Sequence, residues 1–496
     1  MSDLCALESQ LGNARESLAT KLRLWVLQIP LPYVPPLVLA VVPLTSSTKA
    51  STLADFEQQL LQILLGSDES LCIVSLGSDG SILERDARRI LVRCGFAESL
   101  SYSITHPDTT QSESIKIPIM RIHGRCIVAI QDPKHGRKTA RNNLFSGSRL
   151  LALGNHTAHY GQVRYLANEK DTPLYWRDVD RLDRQDDRAA ARLFSASFLE
   201  FCIRHDTGTR NDKSSYVALS IYLFVLGELI DAYENRHIPH IERVKMVLRM
   251  RFFKAIWKSF LQSAGYPKAR YFISADADDI IDTLVDGLLG LIYIYRDHLD
   301  KSYPLLPWMH GSEANEHIFG LLRSLVTDFT MLDVLRLIPK LHVRLMAACR
   351  TKNIKVDFQR TAAGYSHTYF NADDIPLGIL SEFPSDGEIA CSARAAFDEA
   401  NVLWDLVGYY DTGNPDSPPD YPAMHVPQTS GQEKDEKDDD DCDADDSAFQ
   451  NCDRRLLRNA LDSSRQVSGL DDYSQARLDE CTYAAACLDV TDQEKM

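Results

Sequence analysis

The chain has 496 residues, 44% of them apolar, and a formal net charge of −16. That much apolar side chain can build a substantial core in two or three structural units, one of which can be an insertion. Half of the charge, −8, falls between Gly431 and Ser447, where ten acids face only Lys434 and Lys437, so the rest is mildly acidic. Such a balance argues against a strong non-specific nucleic-acid binder and leaves room for a local basic groove.

In chain order, Trp25–Ile29 and Pro36–Val42 are short apolar runs around a proline-rich turn, which predicts a hairpin. Leu53, Phe56, Leu60, Leu61 and Leu64 recur at helical spacing behind Ser51 and Thr52, and predict a helix over 53–65. The apolar run Leu71–Leu76 predicts a strand ending in Gly77-Ser78-Asp79-Gly80, with a helix following from Ile82 to Val92. Two further strands, Ile115–Ile122 and Cys126–Ile130, run into Gln131-Asp132-Pro133. Unalternating apolar strands between helices imply a sheet covered on both faces.

From Lys138 to Leu345 the pattern is helical. Helices are expected at Lys138–Phe145, Ser148–Tyr165, Arg184–Cys202, Ser214–Glu234, Pro239–Ala264, Asp276–Tyr295, Ser312–Val326 and Met331–Cys349. A polar stretch, 352–374, leads to one more, Ser385–Tyr409. The proline-rich and then acidic segment 413–447 cannot bury enough surface to fold and is expected to be disordered. Weak helices are expected at Arg454–Leu461 and Gln475–Cys487. No internal repeat is found.

The eleven cysteines show no Cys-x-x-Cys and no spacing suited to zinc, as expected of reduced thiols in an intracellular protein. The early residues Asp3, Glu8 and Asn13 do not read as a secretory signal. The longest apolar stretch, Tyr216 to Ile230, is shorter than the ~20 residues of a membrane span and reads as a buried helix. His156/His159 and His237/His240 are i,i+3 pairs without the two further ligands zinc would need.

Two strands end in an aspartate, Asp79 and Asp132. At the carboxyl ends of neighbouring parallel strands such side chains face one crevice. Two carboxylates there can hold Mg²⁺ or Mn²⁺, hard cations that prefer oxygen, and a third acid from a helix would complete a two-metal phosphodiester site. Asp79-Gly80 is equally a turn dipeptide, and Asp132-Pro133 equally a helix start. Spacing leaves both readings open.

Four blocks carry a resemblance. Ser75-Leu-Gly-Ser-Asp-Gly-Ser-Ile-Leu-Glu-Arg85 resembles the strand-ending Ser/Thr-Asp-Gly block of P-element and THAP-type DNA transposases. Asp132-Pro-Lys-His-Gly-Arg-Lys-Thr-Ala-Arg-Asn-Asn143 is similar to that family's Asp-Pro-x-His-x-x-Lys-x-x-Arg-Asn block. Arg188 to Ser195 looks like the block before the family's helical insertion. Glu313-Ala-Asn-Glu-His-Ile-Phe-Gly320 is similar to its Glu-Asn-x-Phe-Gly helix, with His317 in place of Asn. The blocks span Ser75 to Arg323 in the family's order and are most like members carried by mushroom-forming fungi.

The resemblance implies a partial α/β RNase H-like core, a mixed sheet with helices on both faces, carrying a large all-α insertion and a helical C-terminal region. The expected divisions are 1–147 (N-terminal core), 148–305 (insertion), 306–350 (third acid and core-completing helices), 351–412 (helical extension), 413–450 (disordered acidic linker) and 451–496 (weakly helical tail). It implies catalytic and metal-binding roles for Asp79, Asp132 and Glu316. Asp79 is preferred as the second acid of the triad, Glu316 is the helix-borne acid, and Asp132 is a neighbouring acid and helix cap. Mg²⁺ or Mn²⁺ is the cofactor if the chain is active. The family's first acid sits on its first strand, whereas the acids before the Pro36 strand are only Asp3, Glu8 and Glu16. Glu16 lies in the helical-looking stretch Gly12–Leu22, and no zinc-binding DNA-recognition domain precedes it. A truncated gene model or a decayed element is implied, with incomplete chemistry.

Nucleic-acid contacts are expected from Lys134, Arg137, Lys138 and Arg141, of which Lys134, Lys138 and Arg141 share a helix face. The alternative is a solvated face, or Arg141 paired with a buried acid. The basic stretch His240 to Lys258 reads as an amphipathic surface helix or the wall of a DNA groove. Better-known relatives bind a guanine nucleotide in the insertion, but no Gly-rich Lys-Ser/Thr loop occurs here and GTP is not expected. The expected function is that of a transposase-derived nucleic-acid-binding protein. Its ancestral activity would be metal-dependent DNA hydrolysis and strand transfer, its partner DNA and not a membrane, its location nuclear, and an oligomer possible. The alternative is a non-catalytic helical interaction protein in which the three acids serve as caps and turns.

Overall fold

The computed structural model describes residues 19–31, 34–66, 71–108, 114–180, 183–206, 215–300, 303–350 and 375–409. The expectations for 1–18, 352–374 and 413–496 lie outside the described residues. Strands β1 (Ala19–Leu27) and β2 (Leu37–Thr45) form the expected antiparallel hairpin, with Arg23 opposite Val42. Helix α1 (Ala50–Leu65) follows, then the short strand β3 (Ser75–Ser78) and helix α2 (Ile82–Arg93). Strands β4 (Glu98–Ile104), β5 (Ile115–Ile122) and β6 (Arg125–Gln131) form an antiparallel meander.

The meander's last strand pairs in parallel with β3, Ser75 opposite Val128 and Ser78 opposite Gln131, giving the order β3-β6-β5-β4. Pairing already begins one residue earlier, where Val74 O accepts from Val128 N at 3.0 Å. The fold is a small mixed sheet surrounded by many helices. Leu53, Leu61, Ala87 and Leu91 of α1 and α2 close one face over Met120, Ile122 and Ile127. The other face, with Ile117, Ile119, Val128 and Ile130, joins the large helical core. Trp25 of β1 packs against the first cluster too, and Val26 against Leu306, Trp308 and Met309, so the hairpin shares its neighbours with the larger sheet. Yet β1 and β3 do not pair, and each keeps an edge without a strand partner among the described residues.

Helix α3 (Pro133–Phe145) leaves β6 directly. The helix expected over 148–165 is instead a hairpin, β7 (Leu151–Leu153) and β8 (His156–Ala158), followed by the short α4 (Tyr160–Leu166). Gly154, at φ +55°, and Asn155 make the turn; this dipeptide is a hairpin signal that the apolar spacing hid. After α5 (Arg177–Asp180), the single helix expected over 184–202 is two, α6 (Asp187–Leu193) and α7 (Ala196–His205), because Ser195 accepts from Phe198 N and starts a second helix.

Helices α8 (Val217–Glu234), α9 (His240–Ser263), α10 (Lys268–Tyr271) and α11 (Ala275–Asp297) complete this region. They are followed by α12 (Glu313–Leu325), α13 (Met331–Arg350) and α14 (Asp386–Leu406). Helix α9 corrects one expectation, being neither a surface helix nor a groove wall. Arg243 is fully buried and donates to the carbonyls of Ala232 in the last turn of α8 and of Asn235 and Ile238 just beyond it. Arg249 pairs with Glu228 and Glu399, Arg251 with Asp286 (2.5 Å), and Lys254 with Asp278 and Asp282 (2.6 Å each). Acids on α8, α11 and α14 thus neutralise its cations, which lets a basic helix occupy the centre of the bundle.

Candidate active site at the strand ends

Side chains alternate along a strand, so Gly77 and Asp79 share a face, and Ile130 and Asp132 lie on the same side of the adjoining strand. Each aspartate directly follows one of two neighbouring parallel strands, Asp79 after Ser78 and Asp132 after Gln131. Their surroundings differ sharply. Asp132 is 2% exposed, and both of its carboxylate oxygens are engaged. Oδ1 accepts from the backbone N–H of Lys134 (2.8 Å) and His135 (3.0 Å), capping α3. Oδ2 accepts from Ser312 N (2.9 Å) and Ser312 Oγ (2.8 Å), 180 residues away at the start of α12. One carboxylate thus holds the first turns of two helices, whose N-terminal dipoles favour its negative charge.

Close approach of the 310–312 turn depends on two glycines. A Cβ on Gly77 would lie 2.5 Å from the His310 carbonyl, and one on Gly311 would lie 3.1 Å from Asp132 Oδ2. His310 completes the junction. Its Nδ1 lies 2.8 Å from Ser75 Oγ on β3 and its Nε2 3.2 Å from the Tyr295 hydroxyl on α11. Burial drives its pKa down to about 3, so the ring is neutral. Sequence reading passed over His310; nothing around it in the chain marks it, since its partners are 235 and 15 residues distant.

Helix α12 brings its acids to this junction. Glu313 is buried, with Lys134 Nζ at 2.8 Å and the His317 ring nitrogen at 3.3 Å. Burial alone would raise its pKa, but His317 and the Lys134 ammonium hold it well below the usual carboxylate range. Glu316, one turn on, is half-buried, and its Oε2 has no hydrogen-bond partner. Burial, then the charge of Asp132, raise its pKa to about 7, against the opposing pull of Lys138. Burial likewise raises Glu234 at the end of α8, with Lys134 opposing.

Asp79 is exposed and turns onto its own helix, its Oδ1 accepting from Ser81 N at 3.1 Å behind Gly80 at φ +84°. Its charge is felt by Arg23 of β1, by Arg88 of α2 and by His135. Arg88 is 8% exposed and makes no hydrogen bond or ion pair among the described residues; burial lowers its pKa, with Glu57 and Asp79 opposing. Arg23 pairs with Glu84. Strand β1 carries Lys21 and Arg23 and no acid.

These residues are a poor fit to a shared divalent ion. The oxygens of Asp132 are engaged by four donors, and Asp79 Oδ1 accepts from its own turn at Ser81 N. Among the described residues, no group of three His, Cys, Asp or Glu side chains is placed to hold a metal.

The four cations expected to meet nucleic acid are turned largely inward. Lys134 takes Glu313, and Lys138 (7% exposed) takes Asp187 at 3.3 Å. Arg141, 1% exposed, donates to the carbonyls of Asp178 (3.0 Å) and Asp183 (2.9 Å). Arg137 is half-buried and lies in electrostatic range of Asp231 and Glu234. The block is an internal brace between α3, α12 and the 175–187 segment.

Fold and site together define a mixed α/β protein whose parallel strand ends are tied to a distant acidic helix. No family model and no curated protein matches the chain. A solved structure, the Drosophila P element transposase strand transfer complex, is similar over 64% of this chain and 70% of that one, at 13% identity and a TM-score of 0.41. At that score the likeness does not fix a common fold. No helix among the described residues is long and apolar enough to cross a membrane.

Proposed function

We propose that the chain is a transposase-derived nucleic-acid-binding protein with an RNase H-like core whose phosphodiester chemistry is incomplete. The observation that carries the reading is the meeting of resembling blocks: β3 and β6, which run into Asp79 and Asp132, pair in parallel, Lys134 of the Asp132 block pairs with Glu313 of the α12 block, and Ser312, just before that block, is hydrogen-bonded to Asp132. The Asp132–Ser312 contact spans 180 positions of sequence, and the reading takes it as the meeting of the family's second and fourth blocks.

Incompleteness is supported by what surrounds them. Strand β1 offers cations where a further carboxylate is required, and Arg23 Nε, Trp25 Nε1, Ser78 Oγ and Arg88 Nε are buried without hydrogen-bond partners around the unpaired β1 and β3 edges. The alternative, a non-catalytic interaction protein, is favoured by the use of Asp79 and Asp132 as turn and cap.

The test is gel-shift and nicking of a labelled duplex in Mn²⁺ with the intact chain and Glu316→Ala. Binding without nicking in both proteins is the expected result. Nicking abolished by Glu316→Ala would restore a working site, and absence of any binding would leave the interaction protein.

A further inference from the structure

Helix α13 (Met331–Arg350) carries two apolar stripes. Val334, Leu341 and Leu345 are buried against Leu24 of β1 and against Ile318 and Leu322 of α12. On the opposite side Leu332 (53% exposed), Leu335 (49%) and Val343 (66%) face solvent, in line with the exposed Pro339 and the partly exposed Met346. Steps of three and four residues keep these five positions on one face. An apolar stripe over four turns marks a surface that something covers.

A basic ridge runs beside the stripe. Arg336, Lys340 and Arg344 stand four residues apart and so share one flank. None of the three makes a hydrogen bond or ion pair among the described residues, in contrast to the cations of α9. The helix's one acid, Asp333, is engaged by Thr330, whose N and Oγ1 donate to its Oδ2 at 2.9 and 2.7 Å. Two copies of α13 laid face to face would supply no counter-charge. An antiparallel pair sets the ridge against itself, and a parallel pair sets it against the flank of Ile338 and His342.

We infer that the outer face of α13 is the seat of the chain's own acidic segment, Glu433–Phe449, with Asp438–Asp441 along the ridge and Phe449 on the stripe. Charge selects this occupant, because ten acids against Lys434 and Lys437 make it the most acidic stretch of the chain. Length agrees as well. Arg336 and Arg344 are about 12 Å apart along the helix, and four extended residues cover about 13 Å. Residues 410–432, which join α14's end to the segment, span up to about 80 Å, more than the width of a domain whose radius of gyration is about 20 Å. Each exposed ion pair is weak by itself. A tethered segment, however, meets its site at an effective concentration on the order of millimolar, which keeps a weak site filled.

The inference does not rest on the nucleic-acid reading. The experiment is zero-length carbodiimide cross-linking of the full chain, with isotopically light and heavy copies mixed, at low and at high salt, read by mass spectrometry. Lys340 becomes joined to an acid between Asp438 and Asp446 within a single chain, and high salt lowers the yield about tenfold by screening the ridge. Leu335→Ser, and separately the double change Arg336→Gln with Arg344→Gln, each lower it severalfold while circular dichroism is unchanged. A link between light and heavy chains gives the face to a second copy, and the absence of any link from Lys340 into the segment leaves the face to a different partner. Either result overturns the inference.

Discussion

Replacing Asp132 by alanine should be among the most damaging single changes near the strand ends. It removes the cap of α3, worth about 0.5–2 kcal/mol, and leaves Ser312 N–H and its hydroxyl without an acceptor, about 1–3 kcal/mol. Together the loss is about 1.5–5 kcal/mol. Asparagine keeps one oxygen for α3, gives up the charge between two helix N-termini, and turns its own N–H groups toward Ser312; about 1–2 kcal/mol follows. Urea unfolding followed by tryptophan fluorescence supplies the values. A double-mutant cycle with Ser312→Ala should show a coupling of about 1.5 kcal/mol. An alanine variant within about 1 kcal/mol of the parent, or a coupling indistinguishable from zero, refutes the view of Asp132 as the tie between two helices.

Three further outcomes are expected. Glu316, raised to about 7, keeps a proton that the unfolded chain releases near 4.5; its contribution to stability is full below pH 4.5 and lost as pH rises through 7. Glu316→Gln should therefore flatten the fall in stability between pH 5 and 8, and an unchanged slope contradicts the raised value. Lys134→Met leaves Glu313 buried without its ammonium, a loss of about 3–5 kcal/mol that the double change with Glu313→Gln partly recovers; an additive double variant argues against the pair. Arg88→Met should cost less than Arg85→Met, because Arg88 makes no hydrogen bond or ion pair among the described residues and feels only the longer-range charges of Glu57 and Asp79, whereas Arg85→Met loses Asp276 and the Gly80 carbonyl. Similar melting shifts for the two would show that Arg88 has an unseen role.

Strong periodicity made much of the fold legible. Helices α8, α9 and α11 fall within a few residues of their expected bounds, because each carries an unbroken apolar run or stripe over several turns, whereas β1 begins at Ala19, six residues before the run that predicted it and inside the stretch Gly12–Leu22 expected to be helical. Strand β4 was missed although Leu100, Tyr102 and Ile104 alternate with polar residues; serines masked a period-two signal. The strands before Asp79 and Asp132 were legible too, and β3 and β6 pair in parallel. What sequence could not give was occupancy of side chains. Nothing local says that Asp132 accepts from Ser312, that Lys134 and Lys138 turn toward Glu313 and Asp187, or that the cations of α9 meet acids on three other helices. Those pairings depend on long-range topology, and they convert an apparent basic surface into internal bracing.

The central claim is that the acids at these strand ends are built as a structural junction and lack the arrangement for a catalytic ion. Electron paramagnetic resonance of Mn²⁺ titrated into the full chain tests it directly. The account predicts that the hexa-aquo signal persists with no saturable bound fraction at micromolar protein and metal, and that Asp79→Asn leaves the titration unchanged. A stoichiometric bound signal that disappears in both Asp79→Asn and Glu316→Gln would contradict it.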